Sequence, residues 1–288
     1  MYRRHYHYQH YRRYHSRKYR KQRLIRIGTV CICFAVLLFA VISIVSNAER
    51  EEQETAVEGE MSSCPYDFSN LSSSGFLKSY SDDTYTSLQG IDVSAHQEAI
   101  DWAKVKAAGI DFAMIRCGYR GYETGKVYKD EYFDANIQGA LNNDIQVGVY
   151  FFSQAVSTDE AREEANFTLD CIRSYNITLP VVFDLEEPES TSRVINQTAM
   201  ENTTNASTFL HILSDSGYTP MVYNSTSLYS ELFEESYLQE FETWVAEYDV
   251  DAPTYPYDFQ MWQYTSAGTV DGVTGSTDMD LMFVKKSS

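Results

Sequence analysis

From Leu88 onward the chain alternates between short apolar runs and amphipathic stretches. The apolar runs read as strands: "LQGIDVS" (88–94), "FAMIRCGY" (112–119), "IQVGVYFFS" (145–153), "LPVVFDLE" (179–186), "TPMVYNS" (219–225), "ETWVAEY" (242–248), "YDFQMWQYTS" (257–266) and "MDLMFV" (279–284). Between the early strands lie helical patterns. "DWAKVKAAG" has Asp101 placed to cap and Gly109 placed to stop, "DANIQGALNND" covers 134–144, and "STDEAREEANFTLDCIRSYN" opens on Ser and Asp. A further helical stretch runs to about Ser216. Strands alternating with helices predict βα units and a parallel sheet. Eight of them in about 200 residues predict closure into a barrel rather than an open sheet. The last three leave little room for helices between them. The expectation is therefore an α/β fold, an irregular (β/α) barrel of eight strands with few helices in its last third.

The chain upstream has a different texture. Residues 49–87 are dominated by Ser, Glu and Asp and read as a polar linker. Before them, Ile27 to Ala48 carries no charge, and a bilayer core needs roughly 20 apolar residues as helix. Residues 1–26 hold ten of the 23 Lys and Arg and none of the 41 acids, so the rest of the chain has 13 basic residues against 41 acids. Basic residues before the apolar segment and acids after it agree with the positive-inside rule. The expected order is a cytoplasmic tail (1–26), a single transmembrane anchor (27–48), a linker (49–87) and an extracellular domain (88–288). A cleaved signal peptide is the rival reading, but its apolar region runs about 7–15 residues, shorter than this one. Tyr and His interleaved with Arg in the tail also fit nucleic acid. Its position against a membrane segment favours contact with anionic lipid instead. No nucleic-acid partner is expected. Cys64, Cys117 and Cys171 have no metal-like spacing, and no metal or cofactor is expected.

Barrel enzymes place their chemistry at the C-terminal ends of the strands. Asp92 ends the first strand, Tyr119 the second, Tyr150 and Phe152 the third, and Asp184 and Glu186 the fourth. Tyr223 ends the fifth and Tyr248 the sixth, which also carries Trp244. Trp262 and Gln263 lie on the seventh, and Asp278 and Asp280 flank the start of the eighth. Aromatics stack on sugar rings, and a pair of carboxyl groups breaks glycosidic bonds. Residues i and i+2 of a strand share a face, about 6.6 Å apart at about 3.3 Å per residue. Asp184 and Glu186 therefore share one, and Glu187 points away if the strand persists. Crowding by one carboxylate raises the pKa of its neighbour, which then serves as the acid. D-x-E after an apolar run is common and means little alone; its recurrence with acids and aromatics at other strand ends carries the inference.

Taken together, "GIDVSAHQ", "IDWAKVKAAGIDFAMIRCGY", "VGVYFF", "LPVVFDLE", "MVYNS", "TWVAEY" and "MWQYTSAGTVDGVTGSTDMDLMF" resemble the glycoside hydrolase family 25 lysozymes, the Chalaropsis-type N-acetylmuramidases. The resemblance covers about residues 88 to 286. It implies cleavage of the β-1,4 bond between N-acetylmuramic acid and N-acetylglucosamine in peptidoglycan glycan strands. It implies that Glu186 is the proton donor. Asp184 is then either the nucleophile or the stabiliser of an intermediate formed by the substrate's own N-acetyl group. Asp92 and Asp278 orient and tune that pair, and Tyr223, Trp244, Tyr248, Trp262 and Gln263 line the substrate groove; Tyr119, Tyr150 and Phe152 are further substrate-binding candidates from their strand-end positions. Two positions depart from the pattern: Phe151 where relatives carry His, and Asp280 where they carry Asn.

The expectation is thus a cell-membrane enzyme with an outward-facing hydrolase domain and no obligate protein partner. The alternative is a glycan-binding or scaffolding ectodomain without hydrolysis. All four matched acids are present, which weighs against it.

Overall fold

A computed structural model describes residues 59–286 apart from Glu187. The expected tail (1–26), the expected anchor (27–48) and Glu187 lie outside the described residues, and no helix among the described residues is long and apolar enough to cross a membrane. In chain order the elements are β1 (Leu71–Ser74), β2 (Leu77–Tyr80), β3 (Tyr85–Val93), α1 (Trp102–Ala107), β4 (Phe112–Arg120), β5 (Val127–Lys129), α2 (Phe133–Asn142), β6 (Gln146–Phe152), α3 (Thr158–Ile172), β7 (Val181–Asp184), α4 (Ala199–Asp215), β8 (Pro220–Ser225), α5 (Tyr229–Leu232), β9 (Glu242–Ala246), β10 (Met261–Gly268) and β11 (Thr277–Lys285). The helix signals behave as their chemistry requires. Asp101 accepts from the Lys104 amide, Ser157 accepts from the Glu160 amide, and Thr198 with Glu201 forms a capping box. Gly109, just past α1, has φ +91°, a conformation that favours glycine.

Eight strands close a barrel in the order β3-β11-β10-β9-β8-β7-β6-β4, with β4 returning to β3; β5 is a short antiparallel arm on β4. Most pairs are parallel, as the alternating pattern predicts. The exception is β11, antiparallel to both β10 and β3. Its cause is local: only residues 269–276 separate β10 from β11, too few for the crossover that a parallel pair needs. The start of β11 therefore arrives at the rim where the other strands end, which brings Asp278 level with Asp92.

Alternation along each strand separates two cores. Phe112, Met114, Val182, Met221, Trp244 and Met261 pack within the barrel. Ala113, Ile115, Val181, Phe183, Val222 and Leu281 pack outside it, where α2, α3 and α4 cover the early strands. The interior has no slack at its narrow points. A Cβ on Gly90 would lie 2.1 Å from the Phe112 ring, and one on Gly148 would lie 2.5 Å from the Met114 sulfur.

Residues 59–87 correct the expected linker. Tyr66 stacks on Phe283 with ring centroids 4.0 Å apart and donates its hydroxyl to the Phe259 carbonyl at 2.6 Å. Tyr80 is buried, and the β1–β2 hairpin leads directly into β3. Backbone bonds from Cys64 to Pro256 and from Asp258 to Ser62 tie the segment to the late strands. The composition is polar, but Tyr66, Phe68, Tyr80 and Tyr85 punctuate it. They cover the outer face of the barrel where helices are missing.

Candidate active site

A cleft of about 840 Å³ opens at the C-terminal rim. Asp92, Glu186, Asp278, Tyr119, Tyr150, Phe152, Tyr223, Trp244, Tyr248 and Gln263 all line it, as their strand-end positions predict. Asp184 lies just beneath, 3 % exposed, with Oδ1 lacking a hydrogen-bond partner. The ladder of β7 ends at Asp184, yet the alternation continues. Leu185 turns outward into the core and Glu186 turns back to the cleft. Two bonds hold this extension: Asn224 Nδ2 donates to the Leu185 carbonyl at 2.5 Å, and the Ser153 amide donates to the Asp184 carbonyl at 2.8 Å.

Gln263 organises the opposite wall. Its Oε1 accepts from the hydroxyls of Tyr223, at 2.8 Å, and of Tyr248. That fixes the amide so that Nε2 donates to Asp92 Oδ2 at 2.7 Å. Tyr223 packs edge-on to Trp244 at 4.6 Å, and Tyr150 approaches Trp244 at 6.4 Å. Tyr248 is 40 % exposed at the mouth.

Trp262 is a correction. It sits on the strand beside Gln263 but faces the other way, fully buried in the outer core, with Nε1 donating to the Glu247 carbonyl at 2.9 Å. Parity decides this: if Gln263 points in, Trp262 points out.

Several cleft residues carry no sequence-based expectation, among them Arg116, Asp130 and Tyr122. Arg116 shares the inward face of β4 with Phe112 and Met114 and lines the cleft. Its Nε donates to Asp130 Oδ2 at 2.9 Å, and Asp130 is itself held by the amides of Ala95 and Tyr132. Tyr122 packs on Phe152 at 5.8 Å and extends the wall. A cation interrupting an apolar alternation was the available signal for Arg116; Tyr122 and Asp130 sit in the connections before and after the β5 arm, with no periodicity to mark them.

The acids crowd one another. Burial raises the pKa of Asp184 and of Asp92; the Glu186 charge adds to the first and the Asp278 charge to the second. Glu186 is open to cleft solvent, but the surrounding walls raise its pKa, and the Asp278 charge adds to this. Burial pushes Asp278 up to about 6. Arg116 opposes these effects at both Asp184 and Glu186. Such a set ionises one group at a time and keeps protons to near-neutral pH. One retained proton beside one ionised carboxylate is the equipment for cleaving an acetal.

The sequence profile of glycosyl hydrolases family 25 matches residues 91–273. The autolytic lysozyme of Clostridium acetobutylicum is 26 % identical over 193 residues, which cover 67 % of this chain and 55 % of that protein. Lysozyme M1 of Streptomyces globisporus is 31 % identical over 199 residues, 66 % of each chain. The chain thus spans between about half and two thirds of the length of these relatives. The crystal structure of the bacterial lysozyme from Streptomyces coelicolor superposes with a TM-score of 0.58 at 28 % identity, covering 70 % of this chain and 93 % of that one. The chain belongs to glycosyl hydrolases family 25.

Proposed function

We propose that the domain is a muramidase that cleaves the β-1,4 bond between N-acetylmuramic acid and N-acetylglucosamine in peptidoglycan. The observation that carries this reading is the convergence of four acids around a single aromatic-walled cleft: Asp92 from β3, Asp184 and Glu186 from the end of β7, and Asp278 from β11. Two relatives of the chain are named as lysozymes, which supports it.

In this reading Glu186 donates its proton to the leaving glycosidic oxygen. It is the acid most open to the cleft, and the carboxylate charge of Asp278 favours its protonated form. The reading makes Asp184 the ionised partner while Glu186 holds the proton; burial works against that charge and Arg116 works for it. Asp184 lies beneath the cleft rather than on its wall. That depth favours support of an intermediate formed by the substrate's N-acetyl group over direct attack on the sugar. Asp92, held by Gln263, and Asp278 set the local field. Tyr248, exposed at the mouth, provides a ring on which a sugar stacks, while Tyr223 and Trp244 are buried in the cleft wall.

The same reading tethers the enzyme at the outer face of the cell membrane through residues 27–48, with residues 1–26 in the cytoplasm. It rests on the charge asymmetry and the uncharged apolar run alone. A tether raises local concentration at a polyanionic wall from which so acidic a domain is repelled. The test of the hydrolase reading is release of reducing sugar from purified peptidoglycan. Wild type should release it and Glu186→Gln should not, with both proteins equally folded by circular dichroism. Equal release by both refutes the assignment.

A further inference from the structure

Asp280 has no part in that scheme, yet it is the most enclosed acid of the cluster. It is 0 % exposed on the inward face of β11, one inward position below Asp278. Its backbone partners are Gln263 on β10 and Gly90 on β3. Were it ionised, neither of its side-chain oxygens would have a well-formed hydrogen bond, and the Trp244 indole N–H beside it has no well-aligned acceptor. A buried ionised carboxylate with no donor is among the most costly arrangements a core can hold.

The neighbours show how the cost is avoided. Asp92 on β3 and Asp278 on β11 face Asp280, and the Trp244 indole approaches it from β9. The phenols of Tyr248 and Tyr264 also lie near it. Asp92 in turn faces Glu186 and Asp184 and the hydroxyl of Tyr150, with Arg116 beyond them on β4. Two carboxylates side by side are both acceptors and make no bond. One proton between them turns an orphaned pair into a donor and an acceptor. Asp92 already accepts from Gln263 Nε2 at 2.7 Å, whereas Asp280 has only the Trp244 indole N–H beside it, so the proton belongs on Asp280.

We propose that Asp280 is a positioning residue that works as a neutral carboxylic acid. It donates a hydrogen bond to Asp92 and presents its carbonyl oxygen to the Trp244 indole N–H. With Gln263 it gives Asp92 two donors from adjacent strands and fixes the orientation of that carboxylate at the rim. The inference builds on the proposed role of Asp92 in hydrolysis, but its first test does not use activity.

Burial and the charges of Asp92 and Asp278 raise the pKa of Asp280 well above its ordinary value. Unfolded, Asp280 ionises near pH 4. The folded chain then holds a proton that the unfolded chain releases, so stability falls as pH rises above about 4. Asp280→Asn, an uncharged donor and acceptor of the same shape, lacks this dependence. Denaturant midpoints of wild type and Asp280→Asn across pH 4 to 7 should therefore diverge. The variant should gain up to about tenfold in folding equilibrium for each pH unit. A gap that stays constant with pH means that Asp280 is ionised in the fold and overturns the proposal.

The second readout is kinetic. Asp280→Asn should keep kcat/KM on peptidoglycan within about threefold, while Asp280→Leu should lose at least about tenfold in kcat with little change in KM. Equal losses in the two variants refute the hydrogen-bonding role. If Asp280→Leu does not fold, the pH dependence of Asp280→Asn still decides. If no variant or wild type is active, the hydrolase reading fails while the stability result stands on its own.

Discussion

Asp278 and Asp92 are direct partners across the antiparallel β3–β11 ladder, so two acids from opposite ends of the domain meet at the cleft rim. Burial lifts Asp278 to about 6, and above that pH its negative charge favours the proton on Glu186. Removing the charge has a definite sign. In Asp278→Asn, Glu186 should lose its proton at lower pH, so the alkaline limb of the kcat/KM profile should move to lower pH by roughly half to one unit. The measurement is a pH–rate profile of the soluble domain on purified peptidoglycan. An unchanged limb, or one displaced to higher pH, contradicts this coupling.

Trp262 and Tyr248 should separate stability from binding. Trp262→Phe removes the donor to the Glu247 carbonyl and leaves space in the outer core, at a cost of about 1–3 kcal/mol in denaturant unfolding. Its kcat/KM should stay within about twofold of wild type. Tyr248→Ala, at the exposed mouth, should instead raise KM while unfolding changes little. A Trp262→Phe enzyme with wild-type stability and a raised KM would place that ring in the cleft after all.

The segment before β3 should behave as part of the domain. Tyr66→Ala deletes the ring stacked on Phe283 and the hydroxyl on the Phe259 carbonyl, and should cost about 3–5 kcal/mol. A chain begun at residue 88 should fail to give a cooperative unfolding transition, whereas one begun at residue 56 should unfold cooperatively. Equal stability of the two chains would restore the polar-linker reading.

These cases show where the sequence was legible and where it was not. The eight strands were visible because each is a short apolar run between turn or helix signals, and acids at strand ends pointed to the rim. The direction of β11 was not visible, because it depends on how few residues join it to β10 rather than on the strand itself. Trp262 was misplaced because both faces of a barrel strand are buried, so Met261, Trp262 and Tyr264 carry no polar contrast to mark the inward side. The packing of residues 59–87 was hidden because a few aromatics do the burying within an otherwise polar run. Arg116 was overlooked for the opposite reason: one charge within a strongly apolar strand counts for little in any pattern, though it lines the same cleft as the acids.

The central claim is tested most directly by mass analysis of the fragments released from purified peptidoglycan. Wild type should yield muropeptides whose reducing ends are N-acetylmuramic acid, and Glu186→Gln should lower their rate of appearance by about a hundredfold or more while remaining folded. Fragments ending in N-acetylglucosamine, or unchanged release by Glu186→Gln, would contradict it.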